Sequence, residues 1–335
     1  MNIVYTLIIL CALVLVHEFG HFAVAKLNDV YVEEFSIGMG PKLFSWGKGE
    51  TKYSIRLLPI GGYVKMVGED EDSDNERAFC NKSVPARLAV TFAGPAMNFI
   101  FAIIFFMIAF MYFGSPATNG LIGTVEPGSS ADLAGVQQGD VLVALDDFQI
   151  NTWDDISAFM QQAEVGQQVQ VSYTREGELL VAQTQLVANE NGQAMLGIRQ
   201  GIQRADLFGS IKRGVVTTVE FTVLMLTSLW QMITGQVEME VAGPVGMVSM
   251  VGEYADVGLM YLFLFAGILS INLGVMNLLP IPALDGARIV FLIIEGIRHK
   301  PIDRNREAMV HFVGFVLLMT LMLVITYCDI ERLLS

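Results

Sequence analysis

The chain has 335 residues, a formal net charge of −14, 53% hydrophobic and 16% charged residues, and a mean hydropathy of +0.52. Soluble domains carry about a quarter charged residues, so this composition excludes disorder, collagen and coiled coil and predicts that part of the chain lies in a membrane. The acidic balance argues against nucleic acid as a partner, because phosphates call for clustered Lys and Arg. Three distant cysteines (Cys11, Cys80, Cys328), with no CxxC, exclude a disulfide scaffold and a cysteine zinc site.

In chain order, Asn2 to Ala25 is apolar except for His17, Glu18 and His21, and is long enough to span a bilayer. Ala23-Val24-Ala25 mimics a signal-peptide cleavage site, but no basic residue precedes the apolar run, and a discarded peptide has no use for two histidines and a glutamate. Val30 to Val67 alternates apolar and polar residues around Gly38, Gly40, Gly47, Gly49, Gly61 and Gly62, which predicts β-hairpins. The acidic run Glu69 to Asp74 reads as a solvated loop. Leu88 to Phe113 is a second span. Gly-bounded turns, a helix-like Trp153-to-Met160 run and an alternating Val169-to-Thr174 strand predict a small soluble domain. Gly214 to Thr234 is apolar but carries Glu220 and several threonines, and is expected to lie on the outer surface or against the bundle without crossing. Val257 to Leu279 and Ala308 to Cys328 are the third and fourth spans.

The expected fold is therefore a polytopic α-helical membrane protein of four spanning helices, with a membrane-associated β-hairpin region and an inserted α+β domain. Its parts are 1–113 (two spans and the hairpin loop), 114–200 (the inserted domain), 201–256 (a membrane-surface linker) and 257–335 (two spans). Loop charges orient it. Residues 26–87 hold nine Lys and Arg and residues 281–307 hold five, whereas 114–256 hold five against seventeen Asp and Glu. Basic loops stay in the cytoplasm, so the inserted domain is expected outside.

His17-Glu18-Phe19-Gly20-His21 is an HExxH motif. On a helix its two histidines share a face and can grip one zinc ion, while the glutamate acts on a water at the metal. Ionisable groups inside a span are costly and mark function. With the N-terminus outside, His17 lies about 22 Å along an inward-running helix, in the inner half of the membrane. A hydrolytic zinc site takes three protein ligands, and the candidates for the third are Asp285, Glu295, His299 and His311. Asp285 is favoured, because Pro280 and Pro282 end the third span just before it and free backbone beside a polar site. Asp285 reaches the depth of His17 only if the third span also runs inward, which again keeps Gly214–Thr234 from crossing. His311 is expected at the interface, His299 in solvent, and Glu295 on an Ile-rich segment.

Several stretches carry a family resemblance: the HEFGH motif; Asn277-Leu-Leu-Pro-Ile-Pro-Ala-Leu-Asp285-Gly286; Pro59-Ile-Gly61-Gly62-Tyr63-Val-Lys-Met66; Gly94-Pro95-Ala-Met-Asn98; and Gly243-Pro244-Val245-Gly246. Over nearly its whole length the chain resembles the site-2 protease family, in its bacterial regulator-of-sigma-E-protease branch. The EPGSSADLAGVQQGDVLVAL stretch is similar to bacterial PDZ domains. The resemblance implies Zn2+ held by His17, His21 and Asp285, Glu18 as catalytic acid/base, and Asn277, Gly61 and Gly62 near the substrate. It implies single-span membrane proteins as substrates, such as anti-sigma factors or signal-peptide remnants, first trimmed outside by another (site-1) protease. It also implies a bacterial cytoplasmic membrane, with the site in its cytoplasmic half. Ala287 stands where the family often has a second glycine, and one PDZ-like domain is visible where some relatives carry two. The competing reading is a transporter or ion-binding membrane protein using the histidine pair, against which the chain offers one interrupted span and no inverted repeat.

Overall fold

A computed structural model describes residues 2–69, 71–189, 192–237 and 243–334. The chain divides into two compact units, one built from 1–109 and 209–335, the other from 110–208.

The first unit opens with α1 (Asn2–Leu27), whose run of Leu, Ile, Val and Ala holds no proline. Its C-terminus is closed by Asn28, whose backbone N–H and side-chain amide both donate to the Val24 carbonyl. Two long strands follow, β1 (Val32–Trp46) and β2 (Lys52–Met66). They do not form the simple hairpins the alternation predicts. Each bends, at Gly38 and Gly40 in β1 and at Gly61 in β2, all with φ near +83°. Glu34–Ile37 consequently has two neighbours: Gly62–Lys65, running antiparallel, and Lys52–Ile55, in step from Glu34 beside Lys52 to Ile37 beside Ile55. Lys42–Trp46 pairs with Tyr53–Arg56 beyond. Gly62–Met66 is thus an edge of the sheet, and this edge meets α1. One end of the sheet is greasy and open: Met39, Leu43, Phe44, Leu57 and Leu58 are all exposed. After a 3-10 turn at Phe79–Asn81 comes α2 (Val84–Tyr112), which tolerates Pro95 in its interior.

The second unit carries α3 (Ser130–Leu133), capped by the Ser129 hydroxyl, and α4 (Trp153–Gln162), opened by a capping box between Thr152 and Asp155. Its largest sheet is antiparallel, in the order 148–149, 141–145, 168–175, 178–185. Leu142 and Leu145, brought to one face by an irregularity between 142 and 144, and the alternating Val169 and Val171 build its core with Ile122 and Leu186. Arg175 clasps the buried Asp140 with two hydrogen bonds, at 2.9 and 2.8 Å.

The chain then returns to the first unit through α5 (Leu207–Ile233), α6 (Pro244–Val257), α7 (Leu259–Leu278), α8 (Asp285–Arg298) and α9 (Arg304–Leu334). Among the described residues, five helices are long and apolar enough to cross a membrane: α1, α2, α5, α7 and α9. Of these, α5 is the least apolar. It touches α2 through a stripe of small residues: Gly214 sits so close that a Cβ would stand 2.9 Å from the Ile103 carbonyl oxygen, and Phe221 stacks on Phe106. α6 packs against α1, α7 and α9. α7 stops at Leu278, where Pro280 and Pro282 deny it further amide donors. Asp70, in the acidic run, lies outside the described residues, while its neighbour Glu69 pairs with Arg288.

Candidate metal centre

α1 brings His17, Glu18 and His21 to one level, one turn of helix separating the histidines. α2 crosses beside them, and two glycines make the approach possible. A Cβ on Gly20 would stand 2.3 Å from the Ala93 carbonyl oxygen, and one on Gly94 would stand 2.2 Å from His21 Nε2 and 2.9 Å from His17 Cε1. Gly94 is thus the space the imidazoles occupy. The third element is the turn after α7, which delivers Asp285 as the first residue of α8.

Three atoms converge. His17 Nε2 and His21 Nε2 are 3.2 Å apart, and Asp285 Oδ2 is 3.1 Å from the first and 3.4 Å from the second. Zinc bonds of about 2.0–2.1 Å in a tetrahedron put ligand atoms roughly 3.3 Å apart, so these three fit three corners. The hydrogen bonds on the far side of each ring agree. His21 Nδ1–H donates to the Val90 carbonyl at 2.8 Å, which leaves the Nε2 lone pair facing Asp285. His17 Nδ1 lies 3.1 Å from the Asn98 amide nitrogen, while Asn98 Oδ1, fully buried, has no partner among the described residues. Exchanging the amide's near-isosteric O and N lets Oδ1 accept from His17 Nδ1–H and turns the second Nε2 lone pair to the same point. Two lone pairs and a carboxylate oxygen this close repel one another unless a proton or a metal ion sits among them.

The cluster opens on a cavity of about 300 Å3 that Glu18, Tyr63, Val64, Asn277 and Arg288 also line. Glu18 Oε2 accepts the Val64 N–H at 3.1 Å, so the glutamate bridges the metal ligands and the sheet edge. Gly61 and Gly62 back onto α1 at the same level. A Cβ on Gly62 would stand 2.7 Å from the Ser36 carbonyl oxygen and 3.6 Å from Glu18 Cγ, and Gly61 neighbours Val14.

The other ligand candidates have different partners. Glu295 forms a two-pronged ion pair with Arg87. His299 is exposed and, with φ +51°, ends α8 in a left-handed turn. His311 lies in the second turn of α9, and its Nδ1 accepts the Ala283 N–H at 3.0 Å. Ala287 is an ordinary helical residue, buried in α8, so the second glycine of the family pattern is not required there. Gly286 is required, since a Cβ would stand 2.1 Å from the Leu279 carbonyl oxygen. Sequence reasoning assigned no role to Gly94 and Asn98, although they stand in a quoted motif four residues apart, one helical turn.

Comparison with known proteins agrees with this geometry. Residues 5–321 match the model of peptidase family M50. A Clostridium acetobutylicum protein is 39% identical, covering 98% of this chain and 97% of its own. The zinc metalloprotease RasP of Geobacillus kaustophilus is 34% identical, covering 99% and 98%. The regulator of sigma-W protease RasP of Bacillus subtilis is 32% identical, covering 99% of both chains. A solved PDZ domain of an SdrC-like protein from Listeria monocytogenes aligns with 26% of this chain and 90% of its own, at 17% identity and a TM-score of 0.23; a likeness at that score supports no conclusion. A helical membrane protein with an HExxH helix facing a late carboxylate defines a class, that of intramembrane metallopeptidases. This chain belongs to peptidase family M50.

Proposed function

We propose that the chain is an intramembrane zinc endopeptidase in which His17, His21 and Asp285 hold the metal and Glu18 is the acid/base. The observation that carries this reading is the spacing of three ligand atoms, 3.1–3.4 Å apart, beside the glutamate of the same HExxH helix. Zinc held by His17, His21 and Asp285 would supply Lewis-acid polarisation of the scissile carbonyl and a water whose pKa is lowered to about 7. Glu18 takes a proton from the attacking water and passes it to the leaving amide nitrogen as the C–N bond breaks.

A helical substrate hides its amides, so it must unwind to be cut. The edge Gly62–Met66 supports strand addition next to the site. Its Val64 N–H points at Glu18 and is released to a substrate carbonyl when Glu18 turns to the water. Asn277, lining the same cavity from α7, hydrogen-bonds the extended backbone.

Four helices cross in this reading, and α5 does not. Its lower apolarity and Glu220 support that, as does parity: α1 and α7 must both run inward for Asp285 to meet His17. The basic 26–87 and 281–307 loops then face the cytoplasm, the metal lies in the cytoplasmic half, and the 110–208 unit, PDZ-like by its sequence, stands outside. The name of the Bacillus subtilis relative, regulator of sigma-W protease, supports anti-sigma factors as a substrate class; single-span signal-peptide remnants and a prior cut by a site-1 protease complete the reading on the family resemblance alone. In proteoliposomes holding a single-span test substrate, Glu18→Gln is expected to retain zinc and lose cleavage by 10²-fold or more, on the order of what a positioned general base supplies. Normal cleavage by that variant would end the proposal.

A further inference from the structure

The turn that presents Asp285 is closed once by its own backbone, Leu284 N–H donating to the Ile281 carbonyl at 3.1 Å across Pro282 and Ala283. Ala283, two residues before the carboxylate, has φ +79°, a left-handed conformation that a side chain adopts only where its surroundings hold it. α9 braces this turn from outside. His311 Nδ1 accepts the Ala283 N–H, and one turn further on Gly314 lies under Pro282, where a Cβ would stand 2.3 Å from Pro282 Cβ and 2.5 Å from its carbonyl oxygen. The ring of Phe291, from α8, packs edge-on to His311 with centroids 5.7 Å apart, so the imidazole is steered from the ligand-bearing helix as well.

Most of the described side chains of α9 beyond this point are exposed, and a second buried residue comes at its far end. Asp329 lies eighteen residues after His311, five full turns, and so on the same face. Its carboxylate accepts the backbone N–H groups of Gly243 at 3.2 Å and Gly246 at 2.8 Å, capping the start of α6. α6 packs in turn on α1, which carries both histidines. One face of one helix therefore touches the carboxylate's turn at one end and the histidine helix's neighbour at the other.

Resting on the metal reading above, we infer that His311 is a positioning residue: through the Ala283 N–H, with Gly314 as the seat for Pro282, α9 holds the Pro280–Asp285 turn in its strained shape and thereby sets the reach of Asp285 to the metal. Displacing α9 lets Ala283 relax and withdraws the third ligand, so the seating of the last helix and the competence of the metal site are one equilibrium.

The test uses the full chain in detergent or nanodiscs, with Co2+ in place of zinc, reading the visible ligand-field absorption and the metal dissociation constant by chelator competition. His311→Asn keeps an acceptor at the place of Nδ1, whereas His311→Gln moves it outward. The Asn variant is expected to bind within about threefold of wild type with an unchanged spectrum. The Gln variant, and Gly314→Ala with His311 intact, are expected to weaken binding about 10–100-fold, the range for partners one shell from a metal, and to alter the spectrum. Equal behaviour of the Asn and Gln variants, or an unaltered Gly314→Ala, overturns the inference. A wild-type spectrum indifferent to Asp285→Ala overturns the metal reading and the inference together; an Asp285-dependent spectrum that His311→Gln leaves unchanged overturns the inference alone.

Discussion

At the scale of single residues, the site is a problem of fixing two imidazoles so that the same nitrogen of each faces inward. Val90 does this from α2 by accepting from His21 Nδ1–H, and Asn98 does it for His17 once its amide oxygen and nitrogen are exchanged so that Oδ1 accepts from Nδ1–H. Asn98 is wholly buried, so its replacement leaves a buried donor without a partner as well as an unsteered ring. Asn98→Leu is expected to weaken metal binding about 10–100-fold while leaving all three ligands in the chain, as measured by zinc competition with a chelator. Wild-type affinity in that variant would show that His17 needs no such bond. Gly94→Ala is a harsher test of the same geometry, because its methyl would occupy the space of the His21 ring. That variant is expected to retain less than one equivalent of zinc after purification, and full occupancy would contradict the close approach of α1 and α2.

At the scale of elements, the bent sheet is the part the sequence least discloses. Alternation and glycines announce strands between Val30 and Val67, but a period of two says nothing about which strand lies beside which. The insertion of Lys52–Ile55 beside Glu34–Ile37 depends on turns whose φ values only the folded chain reveals. The helices were legible, because length and apolarity fix them, and so was the HExxH pair, because helical spacing puts it on one face. Asp285 was legible through the two prolines before it. The roles of Asn98 and His311 were not, since they act across 81 and 28 residues of sequence through contacts no periodicity encodes. The sheet also carries a testable charge. Burial raises the pKa of Glu34, but bonds from Lys42, Ser54 and Arg56 outweigh it and hold the carboxyl at about 2. A carboxyl depressed in the fold stabilises it above its unfolded pKa, and that contribution is lost as pH falls from about 4.5 towards 2. Glu34→Gln is expected to be less stable than wild type at pH 7, with the difference shrinking through that window in thermal melts. A difference independent of pH would remove Glu34 from the account.

At the scale of the whole molecule, the arrangement depends on the number of crossings between the two halves of the metal site. His17 and Asp285 are 268 positions apart, and their meeting within 3.1 Å requires α1 and α7 to enter the bilayer from the same side. A cysteine placed at Gln236, just past α5, is expected to react with a membrane-impermeant reagent added outside intact cells; labelling only from the cytoplasmic side would make α5 a fifth span and reverse α7. The central claim, however, concerns the metal and its three ligands. Zinc K-edge X-ray absorption on the purified protein measures it most directly. A first shell of nitrogen and oxygen near 2.0–2.1 Å, with outer-shell scattering from two imidazoles, and loss of that signal in Asp285→Ala, is the expected result. A sulfur shell near 2.3 Å, or a spectrum that Asp285→Ala leaves unchanged, would contradict it.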